Sequence, residues 1–253
     1  MQVIAVSNQK GGVAKTTTAA AIAQGIARGG ARVLAVDLDP QCSLSFAYGI
    51  EPGGGGAMTL QDVLDGKPIV GAIRQTPVGD VVPCTLRLAA ADMSYTRIGR
   101  EQLLSDALRQ VRDKYDYVVL DTPPSLGILT NNALVAAQGI VIPVTCDAYC
   151  LQAVSQLYET VQEVRRYANR DLRLLGLAVT RYDGRSNLAK DYLGRIHELA
   201  GKLGTRVFET LVREGVAVRR SQDAQTSIYD NLTSKQAQDY AALVDEVLAV
   251  LNG

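Results

Sequence analysis

Apolar runs without polar alternation recur along this chain, with stretches of helical periodicity between them. Val3-Ile4-Ala5-Val6, Tyr117-Val118-Val119-Leu120 and Ile140-Val141-Ile142 have the form of strands buried on both faces. The pattern predicts strands over 2–7, 32–37, 79–83, 116–120, 139–144 and 173–180, and a further one over 206–211. Helices are predicted over about 15–28, 59–64, 100–113, 129–136, 150–168, 187–202 and 234–251. Such alternation implies an α/β fold, a mostly parallel twisted sheet flanked by helices on both faces. A single domain over 1–253 is the simplest organisation. Gly29-Gly30 stands where a helix C-terminus needs glycine. Gly53-Gly54-Gly55-Gly56 reads as a flexible surface loop within that domain.

Composition narrows the class. With 253 residues, 47% of them hydrophobic, the chain is long enough to bury a full core and too apolar for disorder. No apolar run is long enough to span a bilayer, and the N-terminus enters a strand without a signal-peptide layout. A soluble, cytoplasmic protein is expected. Cys42, Cys84, Cys146 and Cys150 are scattered, and the only histidine is His197. The Cys146/Cys150 pair lacks two further soft ligands, so these cysteines read as buried thiols and not as a metal site. His197 reads as a surface or cap residue. Formal net charge is zero, which argues against constitutive coating of nucleic acid. Basic residues nevertheless crowd residues 165 to 220, from Arg165 and Arg166 to Arg219 and Arg220. On charge alone a solvated helical face accounts for them.

The chemistry concentrates in Gln9-Lys10-Gly11-Gly12-Val13-Ala14-Lys15-Thr16-Thr17-Thr18, between the first predicted strand and helix. Glycines let backbone N–H groups approach an anion, and the helix N-terminus adds partial positive charge. Lys15 is placed to reach β- and γ-phosphates, and the Thr16 hydroxyl to hold Mg²⁺. The ordinary pattern G-x-x-x-x-G-K-[ST] is not met, because Gln9 and Ala14 occupy its glycine positions. The match is to the deviant form K-G-G-x-x-K-[ST], with a second lysine, Lys10, ahead of the glycines. A glycine-rich turn that binds nothing is the bland alternative. The flanking elements and two acidic segments downstream weigh against it.

The first acidic segment is Val36-Asp37-Leu38-Asp39-Pro40-Gln41. A carboxylate beyond the carboxyl end of that strand is placed to orient water for attack on a γ-phosphate, directly or through Mg²⁺. A ribose-binding acid of the dinucleotide type is set aside, since no G-x-G-x-x-G occurs. The second segment is Tyr117-Val118-Val119-Leu120-Asp121, an apolar strand delivering one carboxylate to a metal shell.

Together these segments make the chain resemble the ParA/MinD group of deviant Walker A ATPases, and most closely the Soj-type ParA partition ATPases. The resemblance extends over essentially the whole chain. It includes Asn8 to Val13, Asp37 to Gln41, Asp121-Thr122-Pro123-Pro124-Ser125-Leu126-Gly127 and Tyr182-Asp183-Gly184-Arg185-Ser186-Asn187-Leu188. It implies a homodimer that sandwiches two ATP molecules, with Lys10 crossing to the partner's phosphates. It implies that Gly11, Gly12, Val13, Ala14, Lys15, Thr16 and Thr17 bind nucleotide, Thr17 at the α-phosphate. It further implies that Asp39 positions water and that Thr16, Asp39 and Asp121 serve Mg²⁺. Turnover in this group is slow and stimulated by a partner.

Three departures stand out. Ala14 replaces a usual glycine, which is tolerable at negative φ and costly at positive φ. Cys42 replaces a glycine common after Asp-Pro-Gln. Val212-Arg213-Glu214-Gly215-Val216-Ala217 occupies a family loop near the adenine, and Ala217 stands where that loop supplies a DNA-contacting arginine. Arg219 and Arg220 are close enough to take over phosphate contacts, and Arg185 matches a family arginine implicated in DNA binding. The resemblance therefore implies non-specific double-stranded DNA as a partner, bound by the ATP dimer through the basic stretch. It also implies a ParB-type centromere-binding partner and a nucleoid-associated location. Positioning of a protein cargo on the nucleoid is the alternative. A division-site ATPase of the MinD type would need a basic amphipathic C-terminal helix, whereas Ser234 to Leu251 carries Asp239, Asp245 and Glu246 against Lys235 alone. A reductase of the iron-protein type would need cysteines that bridge two subunits, and the thiols here are not placed in the expected loops.

Overall fold

The computed structural model describes residues 1–51 and 56–253. Seven strands form one sheet: β1 (Gln2–Val6), β2 (Val33–Asp37), β3 (Arg74–Thr76), β4 (Gly79–Val82), β5 (Tyr117–Asp121), β6 (Gly139–Val144) and β7 (Arg173–Val179). Their order is β3-β4-β2-β5-β1-β6-β7. All neighbours pair parallel except the short edge hairpin β3–β4. β1 lies between β5 and β6, so the loop that leaves it opens at the carboxyl edge of the central strands.

Successive strand residues point to opposite faces, and here both faces are buried. Val3, Leu34, Val36, Val118 and Ile140 enter one core, while Ile4, Val6, Ala35, Val119 and Val141 enter the other. That is why the strands read as unbroken apolar runs. The first core is covered by α5 (Leu103–Arg109), α6 (Ile128–Ala136), α7 (Cys150–Tyr167) and α8 (Asn187–Lys202). The second is covered by α1 (Lys15–Arg28) and α10 (Lys235–Asn252). α1 and α10 pack closely because Gly25 lacks a side chain. A Cβ there would lie 2.8 Å from the Tyr229 hydroxyl and 2.9 Å from Val244 Cγ2. The apolar face of α10, including Tyr240, Leu243 and Val247, is buried in this core. Among the described residues no helix is long and apolar enough to cross a membrane.

Several expectations need correction. No strand forms over 206–211; Val207 makes only an isolated bridge to Leu177. The Phe208 and Val212 amides still donate to the Leu177 and Val179 carbonyls of β7, at 3.0 and 2.9 Å. Between them the amides of Glu209 and Thr210 donate to the Glu246 carboxylate, at 2.7 and 2.9 Å, and that interrupts the ladder. The helix expected over 100–113 divides into a 3₁₀ turn, Arg100–Gln102, and α5. α2 (Ser43–Ala47), α3 (Leu60–Leu64), α4 (Ala91–Ser94) and α9 (Val216–Asp223) complete the helices. α9 lies where a loop is expected. Of the glycine run, residues 53–55 lie outside the described residues. Cys42, Cys84 and Cys150 are buried thiols, but Cys146 is only half-buried, and His197 is exposed on α8.

Candidate phosphate-binding site

The loop between β1 and α1 is pinned by Asn8. Its side-chain amide donates to the Pro143 carbonyl at 2.7 Å, and its Oδ1 accepts from the Lys10 amide at 2.9 Å. Thr180 Oγ1 donates to the Val13 carbonyl at 3.1 Å. Gly12 has φ of 76° and Ala14 of 61°. Among the described residues a Cβ at Gly11 or Gly12 would meet nothing within 4 Å, so the backbone there stands clear of them. The first helical bond runs from Thr18 N to Ala14 O at 2.9 Å. The amides of Lys15, Thr16 and Thr17 therefore have no intrahelical acceptor and form an anion-attracting end.

The positive φ settles the departure at Ala14. Its methyl group sits in the left-handed region, at a cost of about 1–2 kcal/mol. Cys42, with φ of 56°, is in the same position. Both stand where the resemblance leads one to expect glycine, and the left-handed backbone is the conformation that glycine adopts without strain.

Lys15 is 7% exposed. Burial lowers its pKa, and the charges of Asp121 and Asp39 oppose that shift. Its Nζ donates to the Lys10 carbonyl at 3.1 Å. Lys10 is directed elsewhere: its Nζ donates to Thr145 Oγ1 at 3.1 Å and is ion-paired with Asp147, beyond the end of β6. Burial alone would raise the Asp147 pKa. The bonds from Lys10, Thr145 and the Tyr149 amide outweigh it and hold the group below its ordinary value.

Asp37 and Asp121 are register partners at the ends of β2 and β5, and both are fully buried. Asp37 anchors the following loop. Its Oδ1 accepts from the Asp39 amide at 3.1 Å, and its Oδ2 from the Ser45 amide and hydroxyl at 2.8 and 2.7 Å. Burial pushes its pKa up to about 6, against those bonds. Asp39, largely buried just beyond the carboxyl end of β2, accepts from the Gln41 amide at 3.0 Å. Burial and the neighbouring Asp37 raise Asp121 well above the carboxylate range, while the nearby Thr16 hydroxyl and Lys15 pull it down. Among the described residues neither Asp121 oxygen has a hydrogen-bond partner of good geometry. Two orphaned oxygens, beside two further carboxylates and a single lysine, fit a divalent cation. Among the described residues no three His, Cys, Asp or Glu side chains are grouped to hold a metal ion. A hard cation here would draw most of its ligands from phosphate and water.

Beside Thr17 a cavity of about 330 Å³ is lined by Gly12, Arg181, Val212, Val218 and Gln222. Arg181, at φ of 54°, bridges its mouth, donating to the Gly12 carbonyl at 3.1 Å and to Glu214 at 2.9 Å. The structure thus brings Lys15, Thr16, Thr17, Asp39 and Asp121 together and leaves Lys10 to one side. It also brings in Asp37, Asp147, Arg181 and Gln222. Of these only Asp37 carries a sequence signal, its place in the same strand end as Asp39.

The basic stretch is not one surface. Arg165, Arg170 and Arg173 lie near Gln2, at the amino edge of the sheet. Arg181, Arg185, Arg219 and Arg220 lie beyond the carboxyl end of β7 or on α9, roughly 20 Å away along that strand. Arg185 is exposed and paired with Asp183 at 3.0 Å, and Arg219 and Arg220 are also exposed.

A central parallel strand, a glycine and lysine loop, a helix N-terminus and carboxylates on adjoining strands define the P-loop fold class. The family model described as an AAA domain matches residues 1–174. The chain is 38% identical to the sporulation initiation inhibitor protein Soj of Bacillus subtilis, over 98% of each chain. It is 40% identical to the chromosome-partitioning ATPase Soj of Thermus thermophilus, over 97% of this chain and 95% of that one. The crystal structure of cobyrinic acid a,c-diamide synthase from Mycobacterium smegmatis, with ATP analog and magnesium bound, superposes with a TM-score of 0.85. It is 35% identical, over 97% of this chain and 93% of that chain. The chain belongs to the AAA-domain family and, within it, to the Soj/ParA group of partition ATPases.

Proposed function

We propose that this protein is a partition ATPase that binds ATP and Mg²⁺, pairs with a second copy, and holds non-specific duplex DNA while paired. The observation that carries this reading is the double lysine on one phosphate loop. Lys15 is buried against Asp39 and Asp121, and Lys10 is held at the loop's edge. Lys15 and the free amides of α1 bind the β- and γ-phosphates, and Gly11, Gly12, Val13 and Ala14 shape the loop around them. Thr16, Asp39 and Asp121 hold Mg²⁺, which when bound neutralises charge on the phosphate oxygens. Asp39 orients the attacking water. Lys10 serves the partner's nucleotide, and a cation supplied in trans makes pairing depend on the triphosphate.

Arg185, Arg219 and Arg220 contact DNA phosphates. A pair of subunits doubles this patch, which accounts for DNA retention by a chain of zero net charge. A ParB-type protein accelerates an otherwise slow hydrolysis, and the protein resides on the nucleoid. The name of the Thermus thermophilus relative, a chromosome-partitioning ATPase, supports the partition assignment.

Co-sedimentation with non-specific duplex DNA, in ATP, ADP or no nucleotide, tests the reading. Retention is expected with ATP alone and is expected to disappear in Lys15→Ala. Equal retention in all three conditions would overturn it.

A further inference from the structure

Thr17 and Gln222 lie 205 residues apart, yet the Gln222 side-chain amide donates to the Thr17 hydroxyl oxygen at 3.0 Å. We propose that Gln222 is a positioning residue, fixing the direction in which the Thr17 hydroxyl donates to a nucleotide phosphate. The proposal rests on the nucleotide-binding reading above and adds a residue to it.

Thr17 is the third residue of α1, and its amide is among those left without a helical acceptor. An anion at this helix end therefore sits beside its side chain. Thr17 and Gln222 line the same cavity, together with Gly12 and Ala14. A hydroxyl group has one proton and two lone pairs. With one lone pair engaged by Gln222, the proton is turned away from Gln222 and toward the cavity, where a phosphate oxygen accepts it. Without the amide, the hydroxyl rotates among staggered positions, and in a helix it competes for backbone carbonyls of the preceding turn. A carboxylate at position 222 reverses the arrangement. It accepts the Thr17 proton and sets a like charge beside the phosphate.

Fluorescent ADP and ATP titrations of the full chain compare wild type, Gln222→Met, Gln222→Glu, Thr17→Ala and Thr17→Ala/Gln222→Met. Methionine keeps the side-chain volume, so packing is preserved. Gln222→Met is expected to weaken both nucleotides about three- to tenfold, the range of one hydrogen bond. Gln222→Glu is expected to weaken them further. In the Thr17→Ala background Gln222→Met is expected to change affinity less than about twofold, since the hydroxyl it orients is gone. Wild-type affinity in Gln222→Met, or an equal penalty with and without the Thr17 hydroxyl, would overturn the proposal while leaving the nucleotide site intact. Failure of wild type to bind either nucleotide would remove both.

Discussion

Lys10 is ion-paired with Asp147 of its own subunit, against Thr145, and not with any group of the phosphate loop. The proposed role in trans therefore requires this contact to open when two subunits meet. The two side chains are 23% and 40% exposed, so water screens the pair and its strength is about 1 kcal/mol or less. That is small enough for a triphosphate to outbid. Asp147→Asn is expected to free Lys10 and raise ATP-dependent dimerisation by up to about fivefold, as measured by analytical ultracentrifugation. An unchanged or weaker dimer would show that the contact does not restrain Lys10.

Ala14 holds a left-handed conformation without the freedom of glycine. Replacing it with glycine removes about 1–2 kcal/mol of strain and adds about 0.4–1 kcal/mol of unfolded-state entropy cost. Relief wins. Ala14→Gly is expected to raise the Tm by roughly 1–4 °C in a chain of this size, read by thermal denaturation without nucleotide. A lower Tm would mean that the alanine methyl makes a compensating contact.

Arg185 projects from the loop ahead of α8 and, among the described residues, is paired with its neighbour Asp183 alone. Arg185→Glu is expected to abolish DNA retention in ATP, while ATPase activity without DNA stays at the wild-type level. Parallel filter-binding and phosphate-release assays separate the two. Loss of basal hydrolysis would assign Arg185 to the nucleotide site instead.

The central part of the site was legible because it is local. Lys15 follows its glycines directly, and Asp39 and Asp121 end runs whose apolar character marks buried parallel strands. The rest depends on long-range geometry. No property of residues 206–211 announces that Glu246 takes the amides of Glu209 and Thr210. The position of Lys10 is set by Asp147, 137 residues away. The sign of φ at Ala14 and Cys42 belongs to the folded loop and not to residue type. A linear run of arginines cannot reveal that β7 carries Arg173 to one end of the sheet and Arg181 to the other. α9 is only eight residues long and very polar, and two turns are too short a window for periodicity to separate a helix from a loop.

In the proposed function a triphosphate joins two subunits through Lys10. Light scattering after size exclusion, with Asp39→Ala used to block hydrolysis, measures it directly. Asp39→Ala with ATP is expected to elute as a dimer, and with ADP as a monomer. Asp39→Ala/Lys10→Ala is expected to stay monomeric in ATP while still binding the nucleotide. A stable ATP dimer without the Lys10 side chain would contradict the account.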